Sequence, residues 1–218
     1  MGKVIAIDGP SGAGKSTVAK LISQMLGFRY LDTGALYRAV ALGLRKMGVS
    51  PDDKDEKIIE TLRGILVSFS DGKVLLNGED VSQEIRTPDA GHYSSLFSQR
   101  KPVRDFLLPI QRAEAQNSDL VAEGRDMTTV VFPDAWRKFY IDASSAERAK
   151  RRCLQLQENG IPVTMEIALE DVLERDKRDS SRDIAPLRRS EDAVYIDTST
   201  LPLEEVIKKI LEDLKAKE

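Results

Sequence analysis

Near its start the chain reads Gly9-Pro10-Ser11-Gly12-Ala13-Gly14-Lys15-Ser16, a match to G-x-x-x-x-G-K-[ST]. No other stretch restricts the fold so tightly, because the motif works at one kind of junction: a buried strand must deliver it and a helix must carry it away. Both flanks are present. Residues 4–7 form a short apolar run rich in branched side chains, closed by Asp8-Gly9-Pro10. After Lys15, the residues Val18, Leu21, Ile22, Met25 and Leu26 fall at helical spacing, and Gly27 stops the pattern. A glycine-rich turn with an incidental lysine has no need of such flanks. The glycines let the backbone wrap a chain of phosphates with its N–H groups pointing inward, and the helix adds the positive end of its dipole. Lys15 supplies a cation for the β- and γ-phosphates, and the Ser16 hydroxyl is placed to ligand Mg²⁺. The segment from Gly9 to Thr17 is therefore expected to hold ATP. It says nothing about where the γ-phosphate goes.

Strand and helix signals then alternate. A second strand is expected at 28–31, then a helix through Ala35, Leu36, Ala39, Val40 and Leu44. Residues 67–81 break the rhythm, with short runs separated by Asp71-Gly72 and Asn77-Gly78, two strong hairpin signals. They predict a small antiparallel meander inserted into the main pattern. Helices are expected in parts of 89–100 and 102–116, with Pro102 suited to a first turn. Alternation resumes with strands at 120–122 and 138–141, a helix over 146–158 and a strand at 194–196. A last helix runs through Val206, Ile207, Ile210 and Leu214. This predicts an α/β fold, a parallel sheet covered on both faces.

Bulk properties exclude several classes. A net charge of −3 gives no electrostatic footprint for nucleic acid. No apolar run is long enough to span a bilayer, and MGKVIAIDG is too short a start for a secretion signal. The single cysteine, Cys153, rules out an internal disulfide, and a cytoplasmic protein is expected. The single histidine, His92, rules out a two-histidine zinc site and has no nucleophile-elbow sequence beside it, so it reads as an ordinary surface or partly buried residue.

Arg175, Arg178 and Arg182 stand at i, i+3 and i+7, so on one helix they would share a face. Such a face repels itself unless an anion binds, although Asp176, Asp179 and Asp183 offer internal relief, as in an ordinary solvated helix. Beside a phosphate loop, an arginine-bearing lid over the transferring group is the favoured reading. Arg125-Asp126 follows a predicted buried strand, at the end that faces the ligand crevice in a parallel sheet; a simple turn with a local ion pair is the bland alternative.

IDGPSGAGKST, LDTGALYRAV from Leu31, AEGRDMTTVVFPDA from Ala122 and RDKRDSSRDIAPL from Arg175 stand in an order that resembles the bacterial cytidylate kinases. The similarity runs the full length and includes the antiparallel insertion. It implies a P-loop NTPase-type fold with a parallel five-stranded sheet flanked by helices. It implies one kinase domain over 1–218, with a core of about 1–62 and 105–218, an NMP-binding insertion of about 63–104 and a lid of about 158–184. The implied reaction moves the γ-phosphoryl of ATP to CMP or dCMP with Mg²⁺. A monomer without nucleic-acid or membrane partners is expected on separate grounds, since no exposed heptad, basic surface or long apolar run stands out. Lys15, Arg125, Arg178 and Arg182 would stabilise the transferring charge. By the same resemblance Arg125 and Arg38 hold the acceptor phosphate, and Asp126 accepts a hydrogen bond from the cytosine amino group. Ser95 and Arg104 complete the base pocket with help from Thr33, a position where serine is also familiar. Arg182 reaches the base, and Arg175 and Asp179 serve the sugar hydroxyls. Ser16 is the expected metal ligand, with Asp8 or Glu123 as an acidic support through water. The competing readings are a P-loop kinase for another nucleoside monophosphate or small metabolite, and a non-catalytic ATP-binding regulator.

Overall fold

The computed structural model describes residues 2–70, 72–158 and 160–216. In chain order the first elements are β1 (Val4–Asp8), α1 (Lys15–Leu26), β2 (Arg29–Asp32), α2 (Thr33–Lys46), α3 (Asp55–Leu62), β3 (Val67–Ser70), β4 (Lys73–Leu76) and β5 (Glu79–Asp80). A 3₁₀ turn (Glu84–Arg86), α4 (Pro88–Phe97), α5 (Lys101–Ala113), β6 (Leu120–Gly124) and a π-helical turn (Met127–Val131) follow. The chain ends with β7 (Arg137–Asp142), α6 (Ser145–Glu158), α7 (Met165–Ser181), β8 (Val194–Asp197) and α8 (Leu203–Lys215). These elements form two compact units, Met1–Leu31 with Ala115–Glu218, and Asp32–Glu114.

The first unit is built on a five-stranded sheet in the order β2-β6-β1-β7-β8. β1 pairs parallel with β6 on one side and β7 on the other, and β7 pairs parallel with β8. Every residue of β1 and of β6 is buried, as a strand covered on both faces requires. Ile5, Ile7, Val121, Phe139, Ile141 and Ile196 share a core with Val18, Ala19 and Ile22 of α1 and Val206, Ile207, Ile210 and Leu214 of α8. Burying each large side chain of that set contributes about 1.5–3 kcal/mol, so this core is what holds the strand ends in place. The strand order reverses at β1, the location where ligands meet open α/β sheets.

In the second unit, β3, β4 and β5 make the expected antiparallel meander. Asn77 and Gly78 both have positive φ, 51° and 85°, which a two-residue I′ hairpin demands. Asp71 of the other expected turn lies outside the described residues. α2 packs against β3, β4, α4 and α5. Gly43 is needed there: a Cβ would stand 3.0 Å from Ile65 Cδ1 and 3.2 Å from Leu76 Cδ1. Thr87 caps α4 by accepting from Ala90 N, and Pro102 sits in the first turn of α5. His92 is exposed on α4, edge-on to Tyr93. Among the described residues no helix is long and apolar enough to cross a membrane.

One expectation about the arginine segment needs correction. α7 ends at Ser181, and Arg182 is its C-cap with extended backbone, φ −65° and ψ 142°. The chain turns back there, with Leu187 N donating to Asp179 O and Ala185 held at φ 49°. Pro186 disfavours helix in the residue before it, which helps to stop the helix. Arg182 therefore does not continue the helical face of Arg175 and Arg178.

Candidate active site

The phosphate loop connects β1 to α1. Gly9, Gly12 and Gly14 all have positive φ, 150°, 78° and 91°. Gly9 is also a close approach, since a Cβ there would lie 1.8 Å from the Ile141 carbonyl oxygen. α1 begins at Lys15 with Gly14 as N-cap, a residue that has no side chain to fold onto the N–H groups of the first turn. Those groups carry the positive end of the dipole and suit an anion. Pro10 is buried, and its carbonyl accepts from Lys15 Nζ at 2.7 Å. Ala13 O accepts from the Thr198 hydroxyl at 3.0 Å. Burial, reinforced by the nearby positive charge of Arg125, lowers the Lys15 ammonium from 10.5 to about 7. Ser16 and Thr17 are exposed at the start of the helix. Ser16 Oγ donates to Glu123 Oε1 at 2.5 Å, and the Tyr30 hydroxyl donates to the same oxygen at 3.2 Å.

Two arginines not singled out in the sequence brace this loop. Arg148 is buried; its Nε donates to Ala143 O at 2.8 Å and its guanidinium to Ser11 O at 3.2 Å, and it pairs with Asp176 at 2.6 Å. Arg151 donates to Gly12 O at 3.4 Å and to Thr198 O at 2.7 Å. Apart from Ala143, just before the helix, these partners lie 28 to 139 residues away, which leaves no local signal.

At the carboxyl end of β6, Arg125 Nε donates to Asp179 Oδ2 at 2.8 Å. Burial pulls the guanidinium down, but Asp179, Glu123 and Asp8 outweigh it and leave it above its ordinary value. Burial likewise pushes the Asp179 carboxyl up, while Arg125, Arg175 and Arg182 together bring it below the usual carboxylate range. Asp126 is buried, with Arg182 Nη2 at 3.9 Å and Arg182 Nη1 4.0 Å from Asp179, both longer than hydrogen bonds. Arg182 Nε donates to Ala185 O at 2.6 Å. Within this unit the structure thus gathers Lys15, Arg125, Asp126, Arg175, Asp179 and Arg182 into one charged neighbourhood. Arg178 pairs with the exposed Glu174 at 2.8 Å. Asp8 is wholly buried, and burial pushes its carboxyl up to about 6 although it accepts from Met127 N, Thr128 N and Thr128 Oγ1.

In the second unit, Thr33 is buried as the first residue of α2, whose N-cap Asp32 accepts from Ala35 N at 2.9 Å. Arg38, within α2, pairs with the N-cap Asp32 at 3.2 Å, six residues back. Arg104, buried on α5, lies over the Tyr37 ring at 5.6 Å and donates to Ser98 O at 3.2 Å. The Ser98 hydroxyl donates to Ser95 O, so Ser98 links buried Ser95 to Arg104. Tyr37 and Ser98 were not legible as partners: Tyr37 lies within LDTGALYRAV but its position there names no partner, and Ser98 lies in no motif.

The family model for cytidylate kinase matches residues 5–216. A cytidylate kinase of Thermodesulfovibrio yellowstonii is 58% identical, covering 98% of this chain and all of its own length. One from Thermosipho melanesiensis is 50% identical over 98% of this chain and 97% of its own. Among solved structures, an uncharacterized protein from Eubacterium ventriosum superposes with a TM-score of 0.56 at 15% identity, covering 98% of each chain, a likeness of fold alone. A match that spans a glycine loop held against β7, an arginine–aspartate pair at the end of β6 and the helix facing it leaves one conclusion: the chain belongs to the cytidylate kinase family.

Proposed function

We propose that the chain transfers the γ-phosphoryl group of ATP to CMP and dCMP, forming CDP or dCDP and ADP. The observation that carries this reading is half-buried Arg125 beside buried Asp126 at the carboxyl end of the strand adjacent to the phosphate-loop strand, in a chain of this family. A phosphate contact and a base contact stand there side by side.

An oxygen of the acceptor phosphate forms the new bond to the γ-phosphorus, and the bond to the β–γ bridging oxygen breaks. The acceptor is already an oxyanion, so no side chain has to remove a proton, and the work is positioning and charge stabilisation. Lys15 and the first-turn N–H groups of α1 hold the donor phosphates. Arg125 and Arg38 hold the acceptor phosphate, while Arg182 and Arg178 neutralise charge as it moves. Asp126 accepts from the cytosine amino group; Thr33, Ser95 and Arg104 complete the base pocket; Arg175 and Asp179 serve the sugar. Residues of about 63–104 act as the NMP-binding insertion and about 158–184 as the lid.

The donor set also fits Mg²⁺. That ion takes one or two protein oxygens and fills its other positions with water and phosphate, and Ser16 Oγ and Glu123 Oε1 lie 2.5 Å apart at the loop. Ser16 would hold it directly and Glu123 through water, whereas both Asp8 oxygens are committed to the turn at Met127–Val131. When bound, Mg²⁺ supplies neutralisation of the donor phosphates. The reading is completed by a monomer working in the cytoplasm on free nucleotides, which sedimentation analysis tests for oligomeric state.

The experiment is ADP formation from ATP and Mg²⁺ with CMP, dCMP, UMP, AMP, dTMP or no acceptor. Stimulation by CMP and dCMP is the expected result. Stimulation by a different acceptor alone keeps the transfer and discards the base pocket; no stimulation by any sinks the kinase reading in favour of an ATP-binding regulator.

A further inference from the structure

The first N–H groups of any helical turn have no partner within that turn, and an aspartate at the N-cap ordinarily folds its own side chain back onto them. The turn Met127–Val131 begins in this way: Val130 N and Val131 N donate to Asp126 O, and Phe132 N donates to Met127 O. Its N-cap is Asp126, yet the Asp126 carboxylate makes no cap bond. The cap comes from elsewhere. Asp8, 119 residues earlier and at the last position of β1, accepts from Met127 N at 2.9 Å through Oδ1. Through Oδ2 it accepts from Thr128 N and from the Thr128 hydroxyl, both at 2.7 Å. Asp8 and Thr128 are 0% and 1% exposed, so water cannot substitute for either partner.

We propose that Asp8, with Thr128, is a specificity-determining positioning residue: by capping this turn in place of Asp126, it releases the Asp126 side chain to read the acceptor base. This rests on the proposed use of CMP. Two features support it. The N–H groups that would recapture Asp126 are occupied, and the buried carboxyl of Asp8 lies close enough to that of Asp126 for the two charges to repel. Asp126 accordingly keeps φ −143° and ψ 24°, outside helical geometry, with its carboxylate on the side of Arg182. Asp8 touches no reacting atom in this scheme and acts through Asp126.

The test uses the full-length protein and the variants Asp8→Asn, Thr128→Val and Thr128→Ser. Steady-state rates are measured against CMP, UMP and ATP, and thermal unfolding confirms that each variant is folded. Asp8→Asn turns an acceptor into a donor facing N–H groups, and Thr128→Val removes one of the three bonds. Both are expected to raise KM for CMP and to compress the CMP-over-UMP preference roughly tenfold, the scale of a small misplacement at a binding group. KM for ATP should move by less than about twofold, because the donor loop is not what the cap holds, and Thr128→Ser should keep the parent behaviour. If KM for CMP and ATP rise together with the preference intact, Asp8 serves the loop or the fold and the proposal is overturned. If Asp8→Asn does not fold, Thr128→Val against Thr128→Ser decides alone. A parent protein that shows no preference for CMP refutes the proposed function itself, before any variant is made.

Discussion

ATP binding should be accompanied by proton uptake at Lys15. In the free protein this ammonium is buried, donates to Pro10 O and has Arg125 nearby, so its pKa is lowered from 10.5 to about 7. Triphosphate oxygens placed on it favour the charged form and return the pKa toward its ordinary range. At pH 8 a group titrating near 7 is about one-tenth protonated, so binding should take up ~0.9 proton, falling to ~0.5 at pH 7 and ~0.1 at pH 6. The γ-phosphate is itself deprotonated at pH 8, its last pKa being about 6, and does not obscure the count. Calorimetric titration of ATP at pH 8 in buffers of differing ionisation enthalpy measures the number directly. Lys15→Arg keeps a charge that cannot be removed, so uptake should vanish while nucleotide still binds. The sign for stability is set by the same shift: the folded state binds fewer protons between about 7 and 10.5, so the Lys15 contribution is unfavourable at low pH and the free protein gains stability as pH rises through that window. An uptake near zero at pH 8, or an equal one in Lys15→Arg, would refute the assignment of Lys15 as a buried, largely neutral amine awaiting phosphate.

Gly9→Ala should abolish measurable ATP affinity, since its Cβ would meet the Ile141 carbonyl at 1.8 Å with φ at 150°; near-native affinity in a filter or calorimetric assay would mean the loop does not adopt this path. Asp126→Asn should erase most of the CMP-over-UMP preference while ATP binding persists, read from kcat/KM for the two acceptors; unchanged discrimination removes Asp126 from the base pocket. Glu123→Gln should raise the Mg²⁺ concentration for half-maximal rate by roughly tenfold, as loss of an outer-shell partner does, with metal-free ATP binding unchanged. Phe97→Ala, at a side chain with 0% exposure, should cost about 3–5 kcal/mol in denaturant unfolding; a loss under about 1 kcal/mol contradicts that packing.

What could be read from the residues alone was whatever is contiguous or periodic. The phosphate loop occupies eight successive positions, and its glycines, lysine and serine act through backbone geometry set within that span. The buried strands announced themselves by unbroken apolar runs, and α1, α2 and α8 by their 3.6-residue stripes. The hairpin at Asn77-Gly78 carried its own φ requirement. Helix α3 escaped because it is one short pair of turns with only Ile58 and Leu62 buried, too few for a period to show. The end of α7 was misread because spacing on a helix presumes that the helix continues, and Arg182 lies past its last residue. Pairings across the chain were invisible for a more general reason. Ser16 meets Glu123, 107 residues away, Arg125 meets Asp179 at 54, and Asp8 meets Thr128 at 120. Each depends on neighbouring parallel strands, or the helices they carry, ending at the same level of one sheet, and register between strands is decided by packing of the whole core. The residue types and their local geometry were therefore in the sequence, while the partner of each buried charge, and with it the direction in which Lys15, Asp8 and Arg125 are perturbed, was decided only when the sheet assembled.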